Sequence, residues 1–567
     1  MKKRKNMAGL SNDDKALLKR IDEWFEAHRQ NIIEDIERLV RIPSVSKPPK
    51  EDTFDKEAPF GIECRKAMDE MLAIGREHGF HTENREYYVG TIGLRNKNYE
   101  NTIGFWNHLD VVPVGEGWIR PPFEPYINDG FLIGRGVQDN KGPAIGMIYL
   151  MQCIRELGIE MKHELCLFVG CDEERGMEDI EYYTSKYKTP AISLIADSGF
   201  PVCYGEKGII EGQFLSENEL IEPLQCVWGG SASNMIPDRA YARLTYSKEL
   251  LDKLEKLAKA ADNNNKVDTD NVSGNKSNTN KAVTDNVSVN NSNANKADID
   301  NISVNNGNTN KADIDNVSNN NADNKAHVQS GIIIKTDDKS YIEVTACGTS
   351  RHSAFPDGSV NAIHELAQFL LQVEELGDKN LRVLSELCDV SSEYYGKTEG
   401  IDFTDEVSGH TTCAATVLSM EDGRMCVNLN IRYAITQNSE QIEKNLEKYA
   451  SEHELIWRLE RDSKPNYFPK EHPAVDYLTK LYNEWQGLDT EAFVMGGGTY
   501  ARKLPRAFAY GIGGMPRTVE DKEREARLFK KGSGGAHEPD EGLNLRMYFE
   551  AMKFYTLAVV GVDKLDI

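Results

Sequence analysis

Residues 164–170 read ELCLFVG, an apolar run that halts at once on CDEERG (171–176). A short apolar run closed by polar turn residues is the pattern of a buried strand. Two further runs of the same kind flank it: NTIGFW at 101–106, which leads into NHLDVVP, and AISLIA at 191–196, which leads into DSGFP. Helix-sized segments separate the three, among them 141–157, with apolar residues at spacings of three and four. Strands alternating with helices predict a mostly parallel α/β sheet covered on both faces. Residues 12–42 predict an amphipathic helix ending at Pro43, and 361–376 another. Elsewhere the rhythm changes. GIIIKTDDKSYIEVTAC (331–347) reads as an antiparallel hairpin and GRMCVNLNIRY (423–433) as an alternating strand, so the middle of the chain predicts a second, α+β domain.

The chain has 567 residues, 67 Lys and Arg against 91 Asp and Glu, and a formal net charge of -24. Such acidity argues against a partner that is itself anionic, so neither nucleic acid nor a membrane surface is expected. No segment approaches the roughly 18 continuous apolar residues of a membrane span. The basic start MKKRKNMAGLSNDD is followed by no apolar stretch, so no secretion is expected. The ten cysteines are scattered without a CxxC pair, which suits a reduced, cytoplasmic setting. Residues 262–326 form an Asn-rich block without Phe, Trp or Tyr, in which Asn-Lys recurs at 265, 280, 295, 310 and 324. Its repeats carry too little apolar surface to offset ordering entropy, so a disordered insert is expected.

The chemistry gathers at the ends of the predicted strands. His108 and Asp110 follow the first, Glu173 and Glu174 the second, and Asp197 the third. Asp139 lies in GRGVQDNKGP at the start of the helix near Lys141, and His537 lies far downstream in GGAHEPDEG. In an open parallel sheet, ligands bind beyond the carboxyl ends of the strands, which would bring these residues to one rim. Carboxylates crowded together repel one another unless a cation is shared between them. Oxygen and imidazole ligands without cysteine suit Zn(II), Co(II) or Mn(II) in an open site. Lone histidines such as His163, His364 and His453 are better read as ordinary surface or core residues.

The strings NHLDVVPVGEGW, GRGVQDNKGP, CDEERG, ADSGFP and AHEPDEG, in that order, resemble the dinuclear-zinc metallopeptidase family of aminoacylases, carboxypeptidase G and cytosolic dipeptidases. The nearest likeness is to its peptidase V (Xaa-His dipeptidase) type. GGSASNMIPDRA, SRHSAFPDGSVNAI, NLNIRY and GGGTYAR add to it, and the likeness spans about 16–560 apart from the Asn-rich block. The resemblance implies a zinc-exopeptidase-like catalytic domain in two parts, 1–212 and 466–567, with 213–465 inserted as a lid. It implies two divalent ions, with Zn(II) expected and Mn(II) or Co(II) as alternatives. Asp139 would bridge them, His108 and Asp197 would complete one site, and Glu174 and His537 the other. Asp110 would orient His108, and Glu173 would be the general base. Asn234, His352, Arg432 and the glycines Gly496, Gly497 and Gly498 match positions that contact substrate in related dipeptidases. One departure stands out: the family's usual Asp after the bridging carboxylate is Asn140 here.

The expected reaction is hydrolysis of dipeptides or short peptides with a free amino terminus. An N-acyl-amino-acid deacylase or desuccinylase on the same scaffold is the alternative, and an inactive peptide-binding relative the second. A monomer is expected because the lid supplies groups that dimeric relatives borrow from a neighbour; a homodimer is the alternative.

Overall fold

The computed structural model describes residues 9–47, 55–93, 98–273, 327–329, 331–337, 340–530 and 532–567. The described residues divide into two compact units, one running to Glu206 and resuming at Asn466, the other spanning Lys207 to Pro465. The long strand Gly208–Glu219 belongs wholly to the second unit, so the division falls at Glu206/Lys207, ahead of the 212/213 boundary read from the resemblance.

The first unit is built on a nine-stranded sheet. Its strands are β1 (Thr82–Arg85), β2 (Val89–Ile92), β3 (Thr102–His108), β4 (Glu164–Gly170), β5 (Ile192–Ile195), β6 (Cys203–Glu206), β7 (Asn466–Tyr467), β8 (Phe493–Met495) and β9 (Ala507–Ala509). They lie in the order β1-β2-β4-β3-β5-β9-β6-β7, with β8 also beside β6. The centre is parallel: β3 pairs with β4 and β5, and β9 with β5. Antiparallel pairing is confined to the flanks, at β1–β2, β2–β4, β9–β6 and β7–β6. All seven residues of β3 are buried, as a strand covered on both faces requires. These are the three apolar runs on which the sequence reading rests, and the fold class it predicts is the one observed.

Helix α1 (Asn12–Val40) starts where Ser11 accepts the Asp14 N–H at 3.1 Å, with Asp13 and Asp14 in its positive first turn. It stops short of Pro43, whose ring disfavours helix in the residue before it. Helix α2 (Ile62–Glu77) and helix α3 (Lys141–Glu156) follow, and α4 (Leu545–Val562) ends the chain. Helix α3 is buried continuously from Lys141 to Met151, the pattern of a helix enclosed by protein. The Lys141 ammonium explains how a charge sits at that buried start. It donates to the Leu39 and Ile42 carbonyls at 3.1 and 2.7 Å, closing the carboxyl end of α1 onto the amino end of α3.

The second unit carries a nine-stranded antiparallel sheet. The predicted hairpin is present as Ile332–Asp337 and Tyr341–Cys347, and the predicted alternating strand as Arg424–Tyr433. Helices Ala362–Leu370, Gly377–Val390 and Ser439–Glu452 contribute to a core with the buried residues of these strands. The helix expected over 361–376 breaks at Leu370 and resumes as one turn at Glu374–Leu376. Helix Lys248–Ser273 carries the chain past Asp262, where the Asn-rich block begins. The rest of that block, 274–326, lies outside the described residues.

Candidate metal centre

His108 is the last residue of β3, buried to 1% exposure, and its register partner on β4 is Gly170. Chain continuity from those two strand ends sets Asp110 opposite the Glu173–Glu174 turn. The Asp110 carboxylate accepts the backbone N–H groups of Glu173 and Glu174 at 3.2 and 3.1 Å, one on each oxygen. The His108 Nδ1 lies 3.0 Å from the Asp110 backbone oxygen and 3.4 Å from Oδ1. Asp110 therefore holds two loops at once.

Asp139 stands at the amino end of α3 with its two carboxylate oxygens facing different histidines. Its Oδ1 is 2.8 Å from His108 Nε2, and its Oδ2 is 3.0 Å from His537 Nε2. His537 Nε2 also lies 3.1 Å from Glu174 Oε1, and His108 Nε2 lies 3.7 Å from Asp197 Oδ2. His537 takes a left-handed backbone conformation, φ 66°, uncommon for a residue with a side chain. Donor atoms of His108, Asp139 and Glu174 fall within 4.8 Å of one another, and so do those of His108, Glu173 and Asp197.

The electrostatics follow from this crowding. Burial disfavours the charged form of Glu173, and Asp197, Glu174 and Asp139 add repulsion, so its carboxyl is pushed well above the usual range despite His108. Burial and the Asp139 charge lift Asp197 to about 7 and raise Glu174 as well. Burial would lower both imidazoles, but hydrogen bonds to Asp110 and Asp139 push His108 well above its ordinary value. Asp139 and Glu174 likewise push His537 up to about 11. Asp139 resists its burial: the two imidazoles hold it below the usual carboxylate range. Four carboxylates around two imidazoles form an anion-rich pocket of oxygen and nitrogen donors, which fits divalent Zn, Mn or Co.

Asn140, noted in the sequence only as a departure, and several residues that sequence reasoning passed over support this cluster. The Asn140 amide donates to Asp197 Oδ1 and to the Ala196 carbonyl, both at 2.9 Å, while Asn107 donates to Asn140 Oδ1. The amide can do both because its NH₂ donates while its carbonyl oxygen accepts. An ionised aspartate here could not donate to Asp197, whereas the amide does. Behind the Glu173 turn, Asp179 accepts the Cys171 and Asp172 N–H groups at 2.8 and 2.9 Å, and also the Tyr500 hydroxyl. No spacing rule links Asp179 or Tyr500 to the turn, so only the fold reveals them. His163, His364 and His453 make local contacts with Asp563, the Cys388 carbonyl and Glu386.

The profile of peptidase family M20/M25/M40 matches residues 104–560, a span that takes in every residue of this cluster. The chain belongs to peptidase family M20/M25/M40. It is a metallopeptidase by membership. Over 545 residues it is 26% identical to "Putative dipeptidase YtjP" of Bacillus subtilis, covering 94% of this chain and 98% of that one. Over 554 residues it is 27% identical to a "Putative dipeptidase" of Staphylococcus epidermidis, covering 94% and 97%. Among solved structures it is similar to human carnosine dipeptidase 1, with a TM-score of 0.50, 14% identity and coverage of 97% and 99%, a likeness of fold.

The second unit of this M20 peptidase links two of the expected substrate residues, Asn234 and Arg432, through one polar network, with His352 next to it in sequence. Ser353 donates its N–H to the Asn234 carbonyl at 2.9 Å and its hydroxyl to Asn430 Oδ1 at 2.7 Å. Arg432, 6% exposed, donates from Nε to the same Asn430 oxygen at 2.8 Å. His352 accepts the Ala354 N–H on Nδ1 at 3.1 Å, which puts the proton of its neutral ring on Nε2. In the first unit, a Cβ on Gly498 would fall on the Arg502 guanidinium, whereas one on Gly497 would meet nothing within 4 Å. Gly498 thus leaves room for the buried Arg502 guanidinium beside Glu206. The ten cysteines are all free thiols, and no described helix is long and apolar enough to cross a membrane.

Proposed function

We propose that this M20 peptidase is a dipeptidase of the peptidase V type, acting on peptides with a free amino terminus. The observation that carries the reading is Asp139, whose two oxygens each meet a different histidine. On this reading two divalent ions would be held by these residues, Asp139 being shared, His108 and Asp197 serving one ion and Glu174 and His537 the other. The ions, Zn(II) by preference, would polarise the scissile carbonyl and acidify water when bound. Glu173 is the base. Its raised pKa suits a group that takes a proton from the attacking water and delivers it to the departing amine. The two adjacent glutamates divide base and ligand roles in keeping with their surroundings, Glu174 lying beside His537 and Glu173 among His108 and Asp197.

The second unit, 207–465, acts as the lid. His352 donates from Nε2 to the developing oxyanion, in keeping with its tautomer. Arg432 grips the substrate carboxylate, with the fork of its guanidinium oriented by Asn430. The Gly496–Gly498 backbone assists it, and Asn234 contacts the same substrate. Asp197 rather than Glu at its position favours a free amine. The relatives described as dipeptidases support the same substrate class. We read the protein as a cytoplasmic monomer. The test is metal analysis of pure protein together with hydrolysis of dipeptides, tripeptides and acetyl- or succinyl-amino acids. Two metal equivalents and preferential dipeptide turnover are expected; faster hydrolysis of acylated amino acids would replace this reading with the deacylase one.

A further inference from the structure

One buried ion pair lies beneath the centre and touches every loop that brings a histidine or Asp139 to it. Glu541 is 0% exposed and Arg135 is 1% exposed, and the guanidinium donates from Nη1 to Glu541 Oε2 at 2.8 Å. Glu541 does more than neutralise this charge. Its Oε1 accepts the Gln138 and Asp139 N–H groups at 2.8 and 3.2 Å, and its Oε2 accepts the Gly136 N–H at 3.1 Å. Arg135 reaches the other way, donating to the His537 and Glu538 carbonyls at 3.2 and 3.3 Å. It also donates to the Val114 carbonyl at 3.4 Å in the loop that follows His108, beneath the ring of Trp118. The Gln138 side chain adds a second tie, donating to the Gly534 and Gly542 carbonyls at 2.9 and 2.7 Å.

Burying two full charges is costly unless each finds several partners, and here each charge spends its partners on loop backbone. The Glu541 bonds fix the turn that aims Asp139. The Arg135 bonds fix the loop that holds His537 in its left-handed conformation. His108 and Asp197, by contrast, have supports of their own in the ends of β3 and β5 and in Asn140.

We propose that Arg135 and Glu541 are positioning residues that set the affinity of the Asp139–Glu174–His537 side of the centre for its metal ion. The proposal rests on the two-metal reading above. Full-length protein stripped by chelator would be titrated with Zn(II) by calorimetry, as wild type and as Glu541→Ala, Glu541→Gln, Gln138→Met and His537→Ala. Glu541→Ala should weaken by about 10–100-fold the same equivalent that His537→Ala removes, and weaken the other, which shares Asp139, by clearly less. Glu541→Gln keeps one acceptor oxygen and should recover part of that loss. Gln138→Met should shift the same equivalent less. Wild-type binding of both equivalents by Glu541→Ala would overturn the proposal, as would equal loss of both with a lowered unfolding midpoint of the metal-free protein. If Glu541→Ala does not fold, Gln138→Met decides, and unchanged binding there overturns it. A wild type taking up one equivalent would sink the two-metal reading alone, provided Glu541→Ala still weakened that equivalent; a wild type taking up none would sink both.

Discussion

Glu173 lies among the donors near His108 and Asp197, yet it has no distinct histidine partner as Glu174 has in His537. A base can be removed without emptying the centre, whereas a ligand cannot. Glu173→Ala should therefore keep its metal content while kcat falls by about 10²–10⁴. Loss of metal in this variant would make Glu173 a ligand and leave the base unassigned. Protonation gives a second expectation at this scale. His108 and His537 are held above their ordinary values, the latter at about 11, so both imidazoles carry protons at neutral pH when no cation is present. A cation must displace those protons, so affinity rises with pH, and the gain fades only as pH approaches the His537 value. Asp197, held up to about 7, adds a further proton below neutrality. Calorimetry in buffers of different ionisation heat should register proton release on metal uptake; equal heats in all buffers would contradict it.

At the scale of elements, His108, Glu174 and Asp197 sit at or just past strand ends, and the turn after β4 is held by carboxylates that accept backbone N–H groups. Asp110 grips the Glu173–Glu174 turn and Asp179 the Cys171–Asp172 step just before it. Gly170 closes β4 directly against the second of these grips. A Cβ there would overlap Asp179 Oδ2 and the Tyr500 hydroxyl, both well inside van der Waals contact. Gly170→Ala should destabilise the protein by about 1–3 kcal/mol in denaturant unfolding, with a matching loss of turnover. An alanine variant of wild-type stability would mean the contact relaxes freely. The apolar runs of β3, β4 and β5 were legible because burial on both faces leaves an unbroken hydrophobic record. The carboxylate grips were not. Asp179 and Tyr500 are linked only through tertiary contact, and their residue types are ordinary in a helix and in a turn.

At the scale of the whole molecule, the Asn-rich block enters the second unit between helix Lys248–Ser273 and the strand His327–Gln329. Closure entropy grows slowly with loop length, so replacing 274–326 by a short linker should raise unfolding free energy by no more than about 2 kcal/mol. The kcat/KM of the shortened chain should match that of the full chain; a large fall would give the block a part in turnover. The division into metal ligands and base came from the family resemblance, but the order of motifs along the chain was enough to predict a parallel sheet, a second domain, and the gathering of His108, Asp110, Asp139, Glu173, Glu174, Asp197 and His537 at one rim. Those inferences need only local pattern, because strand burial and metal-ligand chemistry are written in residue type and spacing. What only the folded structure decided is how the ligands are aimed: the two faces of Asp139, the donating amide of Asn140, and the Arg135–Glu541 pair. Each depends on hydrogen bonds between residues far apart in sequence, and directional bonds of a few ångströms leave no periodic trace in the chain that makes them.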